Sequence, residues 1–99
     1  MKPFRLSAAV AQKLIEKHNV TREEVNQCFM NRAFPSFKDT REDHQTDPPT
    51  MWFIAETDRG RVLKIVYVDH PEFFAIKSAF PPRDGSDELY ARLCARIAK

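Results

Sequence analysis

Apolar residues recur along this chain with two different periods, and the change of period divides it into segments. Between Ser7 and Arg32 the spacing is helical. Val10, Leu14 and Ile15 form the stripe of a first helix, which Ser7 can cap and which runs to about Lys17. It should stop at "HN", because asparagine, here Asn19, is one of the few residues that tolerates a left-handed position after a helix. The next segment, "VTREEV", sets Thr21 and Glu24 at capping-box spacing, with Val20 and Val25 as the hydrophobic staple around them. Val25, Cys28 and Phe29 then supply the buried stripe of a second helix ending near Arg32. A helical hairpin is predicted to open the domain.

Beyond that hairpin the period drops to two. "AFPSF" is short and carries Pro35, which suits an edge strand or less. "TMWFIAET" and "RVLKIVYV" flank "DRG", the spacing of a three-residue hairpin loop with Gly60 left-handed. "FFAIKSAF" reads as a further strand after the loop "DHPE". Helical spacing returns in "PPRDGSDELYARLCARIAK", where Ser86 or Asp87 can cap a last helix with Leu89, Leu93 (or Cys94) and Ile97 on its apolar side. The order predicts an α+β fold in one domain over residues 1–99. Its parts are an N-terminal helical hairpin, a three- to four-stranded antiparallel meander with helices on one face, and a C-terminal helix.

Register sharpens this. With Thr57 opposite Arg61, Phe53 faces Ile65, Met51 faces Tyr67 and Ala55 faces Leu63. With Val68 opposite Phe73, Ile65 faces Ile76 and Tyr67 faces Phe74. These residues share an almost wholly apolar face, the expected core side. The other face reads Trp52, Ile54, Glu56, Val62, Lys64, Val66, Ala75 and Lys77, with Lys64 and Lys77 directly opposed. Like charges so placed cost up to about 1 kcal/mol, a cost that a bridging anion, phosphate first, would relieve. Two readings stand. In one, Lys64 and Lys77 clamp a phosphate beside Glu56 while Trp52 stacks a base. In the other, both lysines snorkel into water from an open sheet face, Glu56 offsets their charge and Trp52 covers apolar surface.

The polar stretch "TREDHQ" leads into the strand bearing Trp52, and so lies near one end of the lysine face. His44 sits there in polar company. A histidine with its ordinary pKa near 6.5 can serve as general acid or base at neutral pH, and Arg41 could hold a phosphate. The alternative is a solvated loop without chemistry.

Composition narrows the classes. Sixteen Lys and Arg against fourteen Asp and Glu give a net charge of +2, so any nucleic-acid surface must be made by clustering rather than abundance. With only two glycines no Gly-rich phosphate loop can be built. Cys28 and Cys94 fall inside helical patterns without metal-type spacing to His18, His44 or His70; buried free thiols are expected, with no metal and no cofactor. The chain shows neither the apolar core of a signal peptide nor a run able to span a bilayer, so a cytoplasmic protein is expected, without a membrane partner.

Over roughly residues 14 to 90, "EKHNVTREEVNQCF", "DTREDH", "TDRGRVLKIVYV" and "KSAF" occur in an order and spacing that resemble the BrnT-like ribonuclease toxins of type II toxin–antitoxin systems. That family reads as a Lys-His-Gly-Val segment, a Glu-rich second helix, a Gly-Arg strand and an Ile-Ser-Ala-Arg strand. The resemblance implies a RelE-like α+β fold. It further implies metal-independent cleavage of RNA through attack by the ribose 2′-hydroxyl, and neutralisation by a cognate antitoxin protein. Asn19 stands where the family has glycine, and Phe80 where it has the arginine of the Ser-Ala-Arg strand. Lys64 and Lys77 are then the substitute phosphate clamps, with His44 and Arg41 for proton transfer and charge stabilisation and Trp52 against a base. A non-catalytic RNA- or protein-binding module on the same scaffold is the alternative.

Overall fold

The computed structural model describes residues 2–40 and 47–98. The chain runs β1 (Phe4–Arg5), α1 (Ala8–His18), α2 (Arg22–Asn31), β2 (Phe37–Lys38), β3 (Thr50–Glu56), β4 (Val62–Asp69), β5 (Phe74–Phe80) and α3 (Ser86–Ala98).

Local signals set the first half. The Ser7 hydroxyl accepts the Val10 N–H at 3.2 Å to start α1, and Asn19 ends it at φ 53°. The capping box closes both ways: the Glu24 N–H donates to the Thr21 hydroxyl, and the Thr21 N–H donates to the Glu24 carboxylate. Val20 and Val25 are both buried, as the staple requires. The β3–β4 hairpin has the predicted loop. Thr57 N–H meets the Arg61 carbonyl at 2.9 Å and Gly60 takes φ 80°.

The sheet is mixed, in the order β1-β5-β4-β3-β2, and this corrects the purely antiparallel meander. The two-residue β1 pairs parallel to β5, Phe4 beside Phe74, and was not legible as a strand. The segment holding Pro35 does yield only a two-residue edge strand, β2. Register in β3–β4 is as expected, with Phe53 on Ile65 and Ala55 on Leu63. In β4–β5 it is not: Asp69 faces Phe74 and Tyr67 faces Ile76, and past a bulge Lys64 faces Phe80. The slip of two residues keeps side chains on their faces. The bulge does not, because Ile76 and Ala79 both turn to the core with Lys77 and Ser78 between them.

Helices cover both sheet faces, which corrects the expectation of one. On the face bearing Phe53, Phe29 of α2 packs against Phe4, Phe53, Tyr67 and Phe74 at ring separations of 4.9 to 5.8 Å. On the face bearing Trp52, Tyr90 of α3 lies 5.5 Å from Trp52 and 5.4 Å from Phe37. Residues 63–67 of β4 are therefore all buried, although their polarity pattern reads as a half-exposed strand. Ile15, expected in the stripe of α1, is instead exposed. Cys28 and Cys94 are buried free thiols, as expected.

Candidate functional site

Two clefts meet at Asp84, which lines both. The first has a volume of about 650 Å³ and lies at the C-terminal end of α1, between Lys17, His18, Asn19 and Arg61 on one side and Phe80, Pro81 and Arg83 on the other. The His18 ring rests 5.5 Å from that of Phe80. The second has a volume of about 420 Å³. It opens over the sheet face at the start of α3, with Trp52 and Lys64 at its floor and Thr40, Ser86 and Arg92 around it.

Arg61 is the better-tied cation of the two clefts. One guanidinium nitrogen donates to the Asn19 carbonyl at 2.7 Å and to both Glu24 oxygens at 3.1 and 3.0 Å; the other donates to the His18 carbonyl at 2.9 Å. It thus takes up the carbonyls that α1 leaves unpaired at its end and compensates the negative pole there. Burial works against ionisation of Glu24. The Thr21 N–H and the Arg61 guanidinium outweigh it and hold that carboxyl below its usual range. Arg61 therefore locks the α1–α2 turn onto the sheet.

Lys64 is held differently. It is 6% exposed, in the strand at the centre of the sheet. Its ammonium lies 4.8 Å from the Trp52 ring centre and 5.7 Å from that of Phe80. Its one hydrogen-bonding partner among the described residues is Asp84 Oδ2, at 3.4 Å. The other oxygen of Asp84 accepts from the Ser86 N–H at 3.0 Å and from the Ser86 hydroxyl. The Ser86 hydroxyl chiefly, with the Ser86 N–H and Lys64 behind it, outweighs burial and brings the Asp84 carboxyl down to about 2. Gly85, at φ 83°, follows Asp84, and its carbonyl accepts the Leu89 N–H that opens α3. The helix thus starts at Ser86, so Gly85 takes the flanking position in which Ser86 or Asp87 was expected, and the Ser86 N–H is taken up by Asp84 instead.

The expected site residues are dispersed by this arrangement. Lys64 does not face Lys77, which is exposed beside the β5 bulge. The paired-lysine clamp is overturned, and with it the inference from like-charge cost. Trp52 is only 6% exposed beneath Tyr90, so its ring is a wall of the core and cannot stack a base in this conformation. Glu56 is exposed at the end of β3, opposite Val62. Arg41 and His44 lie outside the described residues. Among the described residues, no group of three or more His, Cys, Asp or Glu side chains could hold a metal ion, and no helix is long and apolar enough to cross a membrane.

Sequence reading missed His18, Arg83, Asp84 and Arg92 as cleft residues. His18 was legible only as a helix end, and Asp84 only as part of the segment leading into the last helix. A signal existed for His18, since it belongs to the Lys-His segment of the resemblance. Burial lifts the Cys28 thiol to about 12, and burial with the Cys94 thiol beside it lifts the Tyr90 phenol to about 12; neither group is poised for chemistry at neutral pH. No protein-family model matches the chain, and no curated protein matches it.

Proposed function

We propose that the chain acts on RNA as a small ribonuclease of the BrnT-like toxin type, held in check by a cognate antitoxin, and that the first cleft is where it acts. One observation carries the reading. Residues 17–19, Arg61 and Phe80 belong to three separated segments of the resemblance, and all line one cleft. Functional residues of a family behave this way when the fold brings them to a common substrate.

The chemistry follows from what the cleft offers. The His18 imidazole can take the proton of a ribose 2′-hydroxyl as that oxygen attacks phosphorus. The bond to the 5′-oxygen then breaks, and a proton returns to the leaving oxygen. Lys17 and Arg83 are the cations for the extra charge on the phosphoryl oxygens. Arg83, three residues beyond Phe80, supplies the guanidinium that Phe80 cannot.

A second reading, a non-catalytic RNA- or protein-binding module, is favoured by the burial of Trp52 and by the engagement of Lys64 with Asp84. RNA cleavage separates the two. Purified protein should give EDTA-resistant products ending in 2′,3′-cyclic phosphate, reduced at least 100-fold in His18→Ala and at least tenfold in Arg83→Ala. Binding of RNA with no product under any condition would retire the ribonuclease and leave the binding module.

A further inference from the structure

We infer that the cavity over Lys64 is a phosphate-binding site in which the Asp84 carboxylate is the resident anion, displaced when a phosphate group enters. The inference stands apart from RNA cleavage in the first cleft and requires none.

The ammonium is the starting point. A lysine carries three donors, and Lys64, 6% exposed, uses them on one acceptor among the described residues, 3.4 Å away. Charge-assisted N–H···O bonds normally close to about 2.7–2.9 Å. A buried charge is retained at a cost unless its pairing is good, and here the pairing is long and single. The ammonium is nevertheless well located. Trp52 and Phe80 sit against it on two sides, and the lysine stem belongs to the central strand, so the charge has little freedom to leave.

The surroundings suit an oxyanion with several acceptor oxygens. Ser86 contributes an N–H and a hydroxyl, both now donating to Asp84. Arg92 and Thr40 line the same cavity. A phosphate could take the Lys64 and Ser86 donors together, as the two oxygens of Asp84 do now, and reach Arg92 with a third oxygen, which a carboxylate lacks. Among the described residues, the cavity's acids are Asp39 and Asp84. Asp39 is buried, whereas the Asp84 side chain is 47% exposed, beside a glycine in a left-handed conformation. Asp84 is thus the acid that can swing away. At about 420 Å³ the cavity exceeds a phosphate ion and admits a nucleotide end.

Trp52, the only tryptophan in the chain, touches Lys64 and reports on the site by its fluorescence. Inorganic phosphate is titrated into the wild type and into Asp84→Asn, Lys64→Met, Arg92→Ala and the Asp84→Asn/Lys64→Met double variant, each checked by circular dichroism. Glu72→Gln, an exposed change in the β4–β5 loop, controls for net charge. The expected result is saturable quenching or enhancement, at least tenfold tighter in Asp84→Asn than in the wild type. It should weaken at least threefold in Arg92→Ala, be absent from the double variant and be unchanged in Glu72→Gln. Equal affinity in Asp84→Asn and wild type, equal tightening in Glu72→Gln, or binding that survives in the double variant would each overturn the site. Arg92→Ala keeps the proposal testable should the Lys64 variants fail to fold. Short oligoribonucleotides with and without a 5′-phosphate identify the source. Preference for the phosphorylated end assigns the site to nucleic acid or nucleotide, and a response to phosphate alone assigns it to the free ion.

Discussion

Arg61 and Lys64 stand three residues apart where β4 begins, and they are held in opposite ways. The guanidinium of Arg61 makes four hydrogen bonds of 2.7 to 3.1 Å to two carbonyls and a carboxylate, with its side chain still 30% exposed. The ammonium of Lys64 is more deeply buried and makes one among the described residues, at 3.4 Å. Burial alone would predict the reverse, because the deeper charge has the greater need of partners. The difference separates a cation that holds elements together from one that the fold keeps partly unspent. Arg61 joins α1, α2 and the sheet at a single point. Lys64 joins the sheet, among the described residues, only to Asp84, the residue that leads into α3.

This contrast predicts an order of effects. Arg61→Ala removes four hydrogen bonds and leaves the end of α1 and Glu24 without their partner. It should cost about 2–3 kcal/mol, since bonds to charged groups contribute roughly 1.5–3 kcal/mol, and lower the melting temperature by about 10 °C or more. Thermal unfolding followed by circular dichroism measures it. A loss below about 0.5 kcal/mol would mean that the hairpin is held by its capping box and core alone.

Asp84→Asn should cost less, about 1 kcal/mol, because the amide still accepts from Ser86 and only the Lys64 contact is lost. Its clearer mark is in pH. The Asp84 carboxyl lies near 2 in the fold against an ordinary 3.8, so its contribution is complete above about 3.8 and is lost as pH falls toward 2. The wild type should therefore lose stability more steeply than Asp84→Asn between about pH 4 and pH 2, as read from urea midpoints across that range. Parallel curves would deny the Asp84 contacts.

Lys64→Met should change stability least, by less than about 1 kcal/mol in either direction, because an apolar side chain of similar length can fill the space between Trp52 and Phe80. A deep loss in that variant would make Lys64 a structural cation like Arg61, and the comparison would fail.

What sequence could tell about these two regions follows the range of the interactions. The turn around Arg61 was legible in its local parts. Asn19, the Thr21–Glu24 box and the hairpin from Thr57 to Arg61 each rest on residues within four positions of one another. The role of Arg61 was not, because its acceptors lie 37 to 43 residues away. Around Lys64 less could be read. The strand and its inner face were evident, but the partner of Lys64 depends on the β4–β5 register. That register is fixed together with β1, which gives no pattern in two residues, and with a bulge at Lys77 and Ser78 that strict alternation does not express. The second sheet face looked open because the stripe expected for α3 was misplaced: Leu89 and Ile97 are exposed, and Tyr90 and Cys94 are buried. Tyr90 beside Trp52 and Phe37 closes that face. Trp52 and Lys64 were therefore chosen from a face that α3 covers, while His18, Arg83 and Asp84 come together only through tertiary structure.

Lys64 keeps donors in reserve for a phosphate, and Arg61 does not. One nitrogen-15 experiment addresses both, by observing the lysine ammonium and arginine guanidinium resonances of the same sample as inorganic phosphate is added. A slowly exchanging Lys64 ammonium signal should shift saturably, together with the Ser86 amide, while the Arg61 signals stay in place. A Lys64 signal that does not respond at phosphate concentrations that shift the exposed lysines, or that moves no more than Arg61, would contradict that reserve.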